Sequence, residues 1–138
     1  FKKVSESGVN ITIHAGEGDG VSSIIDALNN GAMRIGHGVR IIEDINDGII
    51  GPTASKIIDL QIPLEICITS NIHTNMYESY EAHPISSLID YGFNVYLNTD
   101  NRLMSNTSIT KEIEIAKNLG IGDVDRLLEY SASDSFFD

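Results

Sequence analysis

The stretch "TIHAGEGDG" at residues 12–20 decides how the rest of the chain is interpreted, because a β-branched run leads into a histidine, three glycines and acidic side chains. Similar layouts follow in RIGHG at 34–38, LEICITSN at 64–71 and NTDN at 98–101. The predicted strands are Ile11–His14, Arg34–His37, Leu64–Thr69 and Asn94–Thr99. The predicted helices are Val21–Asn30, Thr53–Gln61, Pro84–Tyr91, Ser108–Leu119 and Asp123–Tyr130. Strands that alternate with helices indicate an α/β chain with a parallel sheet.

Alternate side chains along the predicted strands differ in polarity, which distinguishes two kinds of parallel sheet. In the third strand, Leu64 and Ile66 alternate with Glu65 and Cys67. An open sheet with helices on both sides would be apolar on both faces, whereas a barrel can carry polar groups at its C-terminal mouth. A complete (β/α)₈ TIM barrel takes roughly 250 residues. The four units therefore predict a half-barrel, a partial domain over residues 1–138, whose interior we expect to be apolar.

Composition and charge narrow the classes of partner. The 138 residues carry 20 acidic and 9 basic side chains, a formal charge of −11, which argues against nucleic acid or an anionic membrane as a partner. No apolar run approaches the ~20 residues that a membrane span requires. No signal peptide is visible and Cys67 is the only cysteine, so we expect a cytoplasmic protein. The start at Phe1 without Met suggests a piece of a longer chain.

The candidate site residues lie where the predicted strands end. His14 and Glu17 would face opposite sides of a straight strand, but Gly16 allows a bend that brings both to one mouth. His37 lies between two glycines, and Asp100 follows the fourth strand. Imidazole and carboxylate suit a metal ion and proton transfer. Each position also has a simpler structural interpretation, as a polar turn, a hydrogen-bonded strand end or a helix cap.

Other polar segments of the sequence do not predict a binding or catalytic site. The glycines after the first strand have the spacing GxGxG, and Glu17 and Asp19 would repel a pyrophosphate, so a dinucleotide site is disfavoured. The acidic segment 43–48 lacks the alternation and the closing Glu of a calcium loop. We expect His73 and His83 to be loop or capping residues, and Cys67 to be a core residue rather than a nucleophile.

Taken together, HAGE at 14–17, RIGHG, LEICITSN, HPI at 83–85, NTDN and LMSNTS at 103–108 resemble the second half of the adenosine deaminase family, within the amidohydrolase superfamily. The resemblance covers essentially the whole chain and implies the C-terminal half of a TIM barrel. It implies one Zn²⁺ held by His14 and Asp100, with Glu17 carrying a proton to purine N1. His37 would orient or deprotonate the attacking water, and Gly16 and Asn101 would bind substrate. The implied reaction converts adenosine or deoxyadenosine to inosine or deoxyinosine and ammonia.

Three departures from the family pattern shape the expectations. The HxH zinc histidines of the family are absent, so we expect the chain alone to be inactive, to bind zinc weakly and to need the N-terminal half. Asn101 stands where many members have Asp, and its amide can donate to purine N7 without first being protonated. Ile68 stands where the family often has Pro.

Two alternatives remain open at this point. The first is a related adenine or adenine-nucleotide deaminase, since most contacts to ribose and phosphate would lie in the other half. The second is a non-catalytic half-barrel that pairs with a partner or forms oligomers through its exposed sheet edges.

Overall fold

The computed structural model describes residues 2–129 and shows a parallel sheet whose strands are separated by helices. The strands are β1 (Thr12–Ala15), β2 (Arg34–His37), β3 (Ile45–Asn46), β4 (Ile49–Ile50), β5 (Leu64–Ile66) and β6 (Val95–Leu97). The α-helices are α1 (Lys2–Ser5), α2 (Val21–Asn29), α3 (Pro52–Asp59), α4 (Ile68–His73), α5 (Ile85–Asp90), α6 (Arg102–Ser105) and α7 (Ile109–Asn118). Two 3₁₀ helices cover Val39–Asp44 and Asp125–Leu128.

The main sheet has the strand order β1-β2-β5-β6, and all of its pairings are parallel. The register aligns His14 with Gly36, Gly36 with Glu65, and Glu65 with Tyr96. These residues therefore form one row on the same face of the sheet. The four parallel βα units confirm the predicted half-barrel, and the row places polar groups near the carboxyl ends of the strands.

The opposite face of the sheet packs against the helices and forms the core. Ile35, Leu64 and Ile66 are fully buried there together with Ile24 of α2 and Leu88 of α5. Full burial of such a side chain stabilises the fold by roughly 1.5–3 kcal/mol. The core therefore rests on the aliphatic residues of the alternating pattern.

The face that would line a barrel is polar, which corrects the expectation of an apolar interior. Arg34 and Glu65 form an ion pair on it with a 3.5 Å N–O distance, and both side chains are largely buried. Thr12 and His14 project from the same face of β1. The interior near these strands is therefore built from paired charges and hydrogen-bonding groups.

Within residues 2–129, every helix is too short or too polar to span a lipid bilayer.

The prediction that the third strand extends to Thr69 is wrong, because β5 ends at Ile66 and α4 begins at Ile68. The backbone N–H of Thr69, in the first turn of α4, donates to Glu112 of α7 at 3.2 Å. This contact between distant segments favours a helix over the strand preference of the local Ile and Thr residues.

The strand predicted at Arg34–His37 is observed with the same bounds, and the other predicted boundaries shift by at most two residues. Three glycines predicted to end helices have positive φ: Gly31, Gly92 and Gly120. The predicted last helix, Asp123–Tyr130, is a 3₁₀ helix over Asp125–Leu128, and Tyr130 lies outside the described residues.

A short hairpin of β3 and β4 overlaps the acidic segment 43–48, and the sequence analysis did not predict it. Its turn contains Asp47 and Gly48, both with positive φ, and an Asp-Gly dipeptide is a strong hairpin signal. Asp44 accepts the N–H groups of Thr53 and Ala54, each at 2.8 Å, and so caps the first turn of α3.

Candidate active site and metal centre

A cavity of about 220 Å³ opens at the carboxyl ends of the sheet strands. It is lined by His14, Gly36, His37, Glu65, Cys67, Asn98 and Asp100. Loops beyond parallel strands meet at this edge, which is where enzymes with barrel folds carry their chemistry. The structure thus brings three of the predicted site residues into one cavity.

Gly36 leaves room for the ring of His14. A Cβ atom on Gly36 would lie 3.0 Å from His14 Nδ1, closer than ordinary packing allows. The two residues are register partners on β1 and β2, so the missing side chain lets the imidazole lie across the neighbouring strand. The ring centroids of His14 and His37 are 5.3 Å apart, in an edge-to-face arrangement.

His37 occupies a strained and buried position at the end of β2. Its φ is 64°, a left-handed conformation that costs a non-glycine residue roughly 1–3 kcal/mol, and its exposed fraction is 2%. Nε2 lies 3.5 Å from Glu17 Oε2 and 3.8 Å from Asp100 Oδ2. Burial lowers the pKa of His37, and the carboxylates of Glu17 and Asp100 oppose this effect only in part.

Glu17 reaches this group because the chain bends at Gly16, whose φ is 66°. A Cβ atom at Gly16 would lie 2.5 Å from Ile24 Cδ1, so a larger residue would also clash with the core. Both backbone polar groups of Gly16 bond within the protein: its N–H donates to Ser23 Oγ at 2.8 Å, and its carbonyl accepts the N–H of Arg40. The bend is confirmed, and the role of Gly16 in substrate binding stays a prediction.

Asp100 is held in place by a neighbouring helix. Its φ is 55°, and its Oδ2 accepts a 2.7 Å hydrogen bond from Ser70 Oγ on α4. Asn101 caps α6, because its Oδ1 accepts the N–H groups of Leu103 and Met104. With its oxygen used in this way, the amide group presents Nδ2 as a donor, as the predicted contact to purine N7 requires.

The side chains of His14, His37 and Asp100 meet the geometric requirement for a metal site. Each offers one ligand atom, and the three atoms lie within 4.8 Å of one another. Two imidazoles and a carboxylate are typical ligands of zinc. The residues present therefore fit a bound metal ion.

Several residues that support this site were missed. Asn71 of α4 is fully buried and bonds to both His37 and His83, and Glu112 is fully buried beneath α4. The sequence signal lay in the SN of LEICITSN and in the His-Pro pair, but local patterns do not show contacts over 12 or 34 residues. His83 does cap α5 as predicted, through Nδ1 and the N–H of Ile85.

His73 and Cys67 do not belong to this network of hydrogen bonds. His73 is exposed at the end of α4, not in a loop. Cys67 is buried, which raises the pKa of its thiol and keeps it protonated, as expected for a packing residue.

Comparison with known structures shows the class of fold. The structure is similar to the adenine deaminase of Arthrobacter aurescens, with a TM-score of 0.81 and 26% identity over 91% of this chain and 38% of that one. The N6-methyl-AMP deaminase of Arabidopsis thaliana superposes with a TM-score of 0.78 and 26% identity, over 99% of this chain and 39% of that one. The chain thus has the fold of part of an amidohydrolase-type TIM barrel.

Comparison with known sequences then identifies the family. The adenosine deaminase family model matches residues 1–136, and the chain belongs to that family. It is 48% identical to adenosine deaminase 1 of Streptomyces coelicolor over 83% of this chain, and 42% identical to the adenosine deaminase of Clostridium botulinum over 99%. It spans 30% and 40% of the length of these two relatives.

Proposed function

We propose that the protein carrying this chain catalyses the zinc-dependent hydrolysis of adenosine or deoxyadenosine to inosine or deoxyinosine and ammonia. The observation that carries this proposal is the convergence of His14, Glu17, His37 and Asp100 at one mouth of the sheet. The relatives with 42–48% identity are adenosine deaminases, whereas the adenine and N6-methyl-AMP deaminases are 26% identical. This difference favours the nucleoside as substrate.

In this proposal the residues of the chain divide the work. His14 and Asp100 would hold the zinc ion, which when bound makes water a nucleophile near neutral pH. Ser70 keeps the Asp100 carboxylate in place through its 2.7 Å hydrogen bond. Glu17 would carry a proton to purine N1, and the Asn101 amide would donate to purine N7. Water adds its oxygen to C6, and the amino group leaves as ammonia.

We further propose that residues outside 1–138 complete the site. The family pattern implies four protein ligands for the zinc ion, of which His14 and Asp100 would supply two and the HxH histidines the other two. The remaining ligands and the walls of the substrate pocket would come from the other barrel half, which also pairs with the edges of the sheet at β1 and β6. The chain alone is then expected to be inactive and to bind zinc weakly.

The test joins this chain to the N-terminal segment of the Streptomyces coelicolor relative and measures ammonia release from adenosine, adenine and AMP. Adenosine should be converted fastest in the joined protein, and the chain alone should show no activity. Glu17→Gln should abolish turnover, whereas the exposed Glu114→Gln on α7 should not. Activity of the zinc-loaded chain alone, or faster conversion of adenine or AMP, would contradict the proposal.

A further inference from the structure

Three buried residues behind the candidate site form a continuous chain of hydrogen bonds, which we call the buried polar chain: His37, Asn71 and His83. Asn71 Nδ2 lies 3.2 Å from His37 Nδ1, and Asn71 Oδ1 lies 3.1 Å from His83 Nε2. The exposed fractions of the three residues are 2%, 0% and 5%, so water does not satisfy these groups. The polar atoms of these three side chains must therefore find their partners within the protein.

The direction of these hydrogen bonds is set at the outer end. The backbone N–H of Ile85 donates to His83 Nδ1 at 3.2 Å, and a backbone N–H can only donate. His83 Nδ1 therefore carries no hydrogen, and the neutral ring has its hydrogen on Nε2. That hydrogen is donated to Asn71 Oδ1. Burial lowers the pKa of His83 to about 4, which agrees with a neutral ring.

A second contact orients the Asn71 amide in the same way. Nδ2 has two hydrogens, and its other neighbour is the thioether sulfur of Met76 at 3.5 Å. A thioether has no hydrogen to donate, so it can pair with the nitrogen of the amide but not favourably with its oxygen. The amide nitrogen thus faces His37, and it donates to His37 Nδ1.

We propose that Asn71 and His83 are positioning residues that hold His37 in the tautomer with its hydrogen on Nε2. If all of these hydrogen bonds ran the other way, His83 Nδ1 would carry a hydrogen that faces the N–H of Ile85. The oxygen of the Asn71 amide would then face the sulfur of Met76, with no hydrogen between these two acceptors. Nε2 of His37 then donates toward the cavity, where the oxygens of Glu17 and Asp100 lie 3.5 and 3.8 Å away.

This assignment decides between two roles for His37. By distance alone His37 belongs to the cluster that could hold a metal ion, but a hydrogen on Nε2 leaves no lone pair there for the ion. His14 and Asp100 then remain as the metal ligands of this chain. The same hydrogen means that Nε2 cannot take a proton from water. His37 instead orients an oxygen in the cavity by donating a hydrogen bond. Only this catalytic consequence rests on the proposed function; the tautomer itself is a property of the chain.

The test is the ¹⁵N spectrum of the metal-free joined protein, in which this chain is labelled at histidine and is completed by the N-terminal segment of the Streptomyces coelicolor relative. Protonated and unprotonated ring nitrogens give separate signals in this spectrum. His37 and His83 should both show a protonated Nε2 and an unprotonated Nδ1. Exposed His73 is the internal control and should show signals averaged over both tautomers. A hydrogen on Nδ1 of His37, or an averaged His37 signal, would overturn the proposal. The spectrum needs neither metal nor substrate, so its outcome is independent of the deamination assay.

Two pairs of variants separate positioning from simple packing. His83→Gln keeps an N–H donor for Asn71 and should preserve the His37 tautomer, whereas His83→Leu should let both tautomers appear. Asn71→Asp replaces the donor with an acceptor and should move the hydrogen of His37 to Nδ1, while Thr74→Ser, one turn further along, should leave it on Nε2. An unchanged His37 signal in His83→Leu and Asn71→Asp would refute the roles of these residues. Because the unsubstituted chain decides the tautomer by itself, a variant that does not fold leaves that result standing.

Discussion

Lowering the pH should destabilise this protein through His83 in a defined window. The pKa of the buried ring is lowered by desolvation from 6.5 to about 4. Between these values the unfolded chain binds a proton that the folded chain does not, so the free energy of unfolding decreases as pH falls. The stabilisation is complete above the unfolded value and is lost progressively toward the folded one. The difference corresponds to about 3 kcal/mol, most of it lost by about pH 4.5.

The assay is urea unfolding followed by far-UV circular dichroism, at about pH 7.5 and about pH 4.5. Because the carboxylates and His37 also respond to pH, His83→Gln is the matched control that retains those groups. The loss of stability between the two pH values should be about 2–3 kcal/mol larger in the unsubstituted chain than in this variant. Equal losses in the two proteins would show that His83 is not held neutral by burial, and the reasoning would fail.

Three further substitutions test the support of the site. Gly36→Ala should displace the ring of His14 and weaken zinc binding in the completed barrel, measured by competition with a chelator. Gly122→Ala is the control, because a Cβ atom there would have no other atom within 4 Å and zinc binding should not change. Ser70→Ala removes the hydrogen bond to the proposed carboxylate ligand and should lower zinc affinity by about 10–100-fold, with unchanged affinity counting against that role. Glu112→Ala leaves the backbone N–H of Thr69 and the hydroxyl of Thr107 without their acceptor. The free energy of unfolding should fall by about 1–3 kcal/mol for each of these groups. A smaller loss would show that water replaces the carboxylate.

Local patterns were sufficient to predict the alternation of strands and helices. The strands predicted to end at His14 and His37 are observed within one residue of the predicted bounds, and a glycine follows the ends of α2, α5 and α7. Both signals act over a few residues, through side-chain alternation and through the conformational freedom of glycine. The bend at Gly16, which brings Glu17 toward His37, was predictable for the same reason.

Contacts between distant segments decided what local patterns could not. The segment from Ile68 has strand-forming residues but is the helix α4, and Glu112, 43 residues from Thr69, accepts an N–H of its first turn. The helix then places Asn71 between His37 and His83, which are 34 and 12 residues away.

The half-barrel and the polar residues at its mouth could be predicted from the amino-acid sequence, because both follow from the spacing of neighbouring side chains. The surroundings of His37 could not be predicted in this way: its burial, its left-handed backbone and the groups that face its two ring nitrogens depend on the packed fold. The physical reason is that the strength and direction of a hydrogen bond depend on which groups are excluded from water together. That exclusion exists only after the separate βα units have packed against one another.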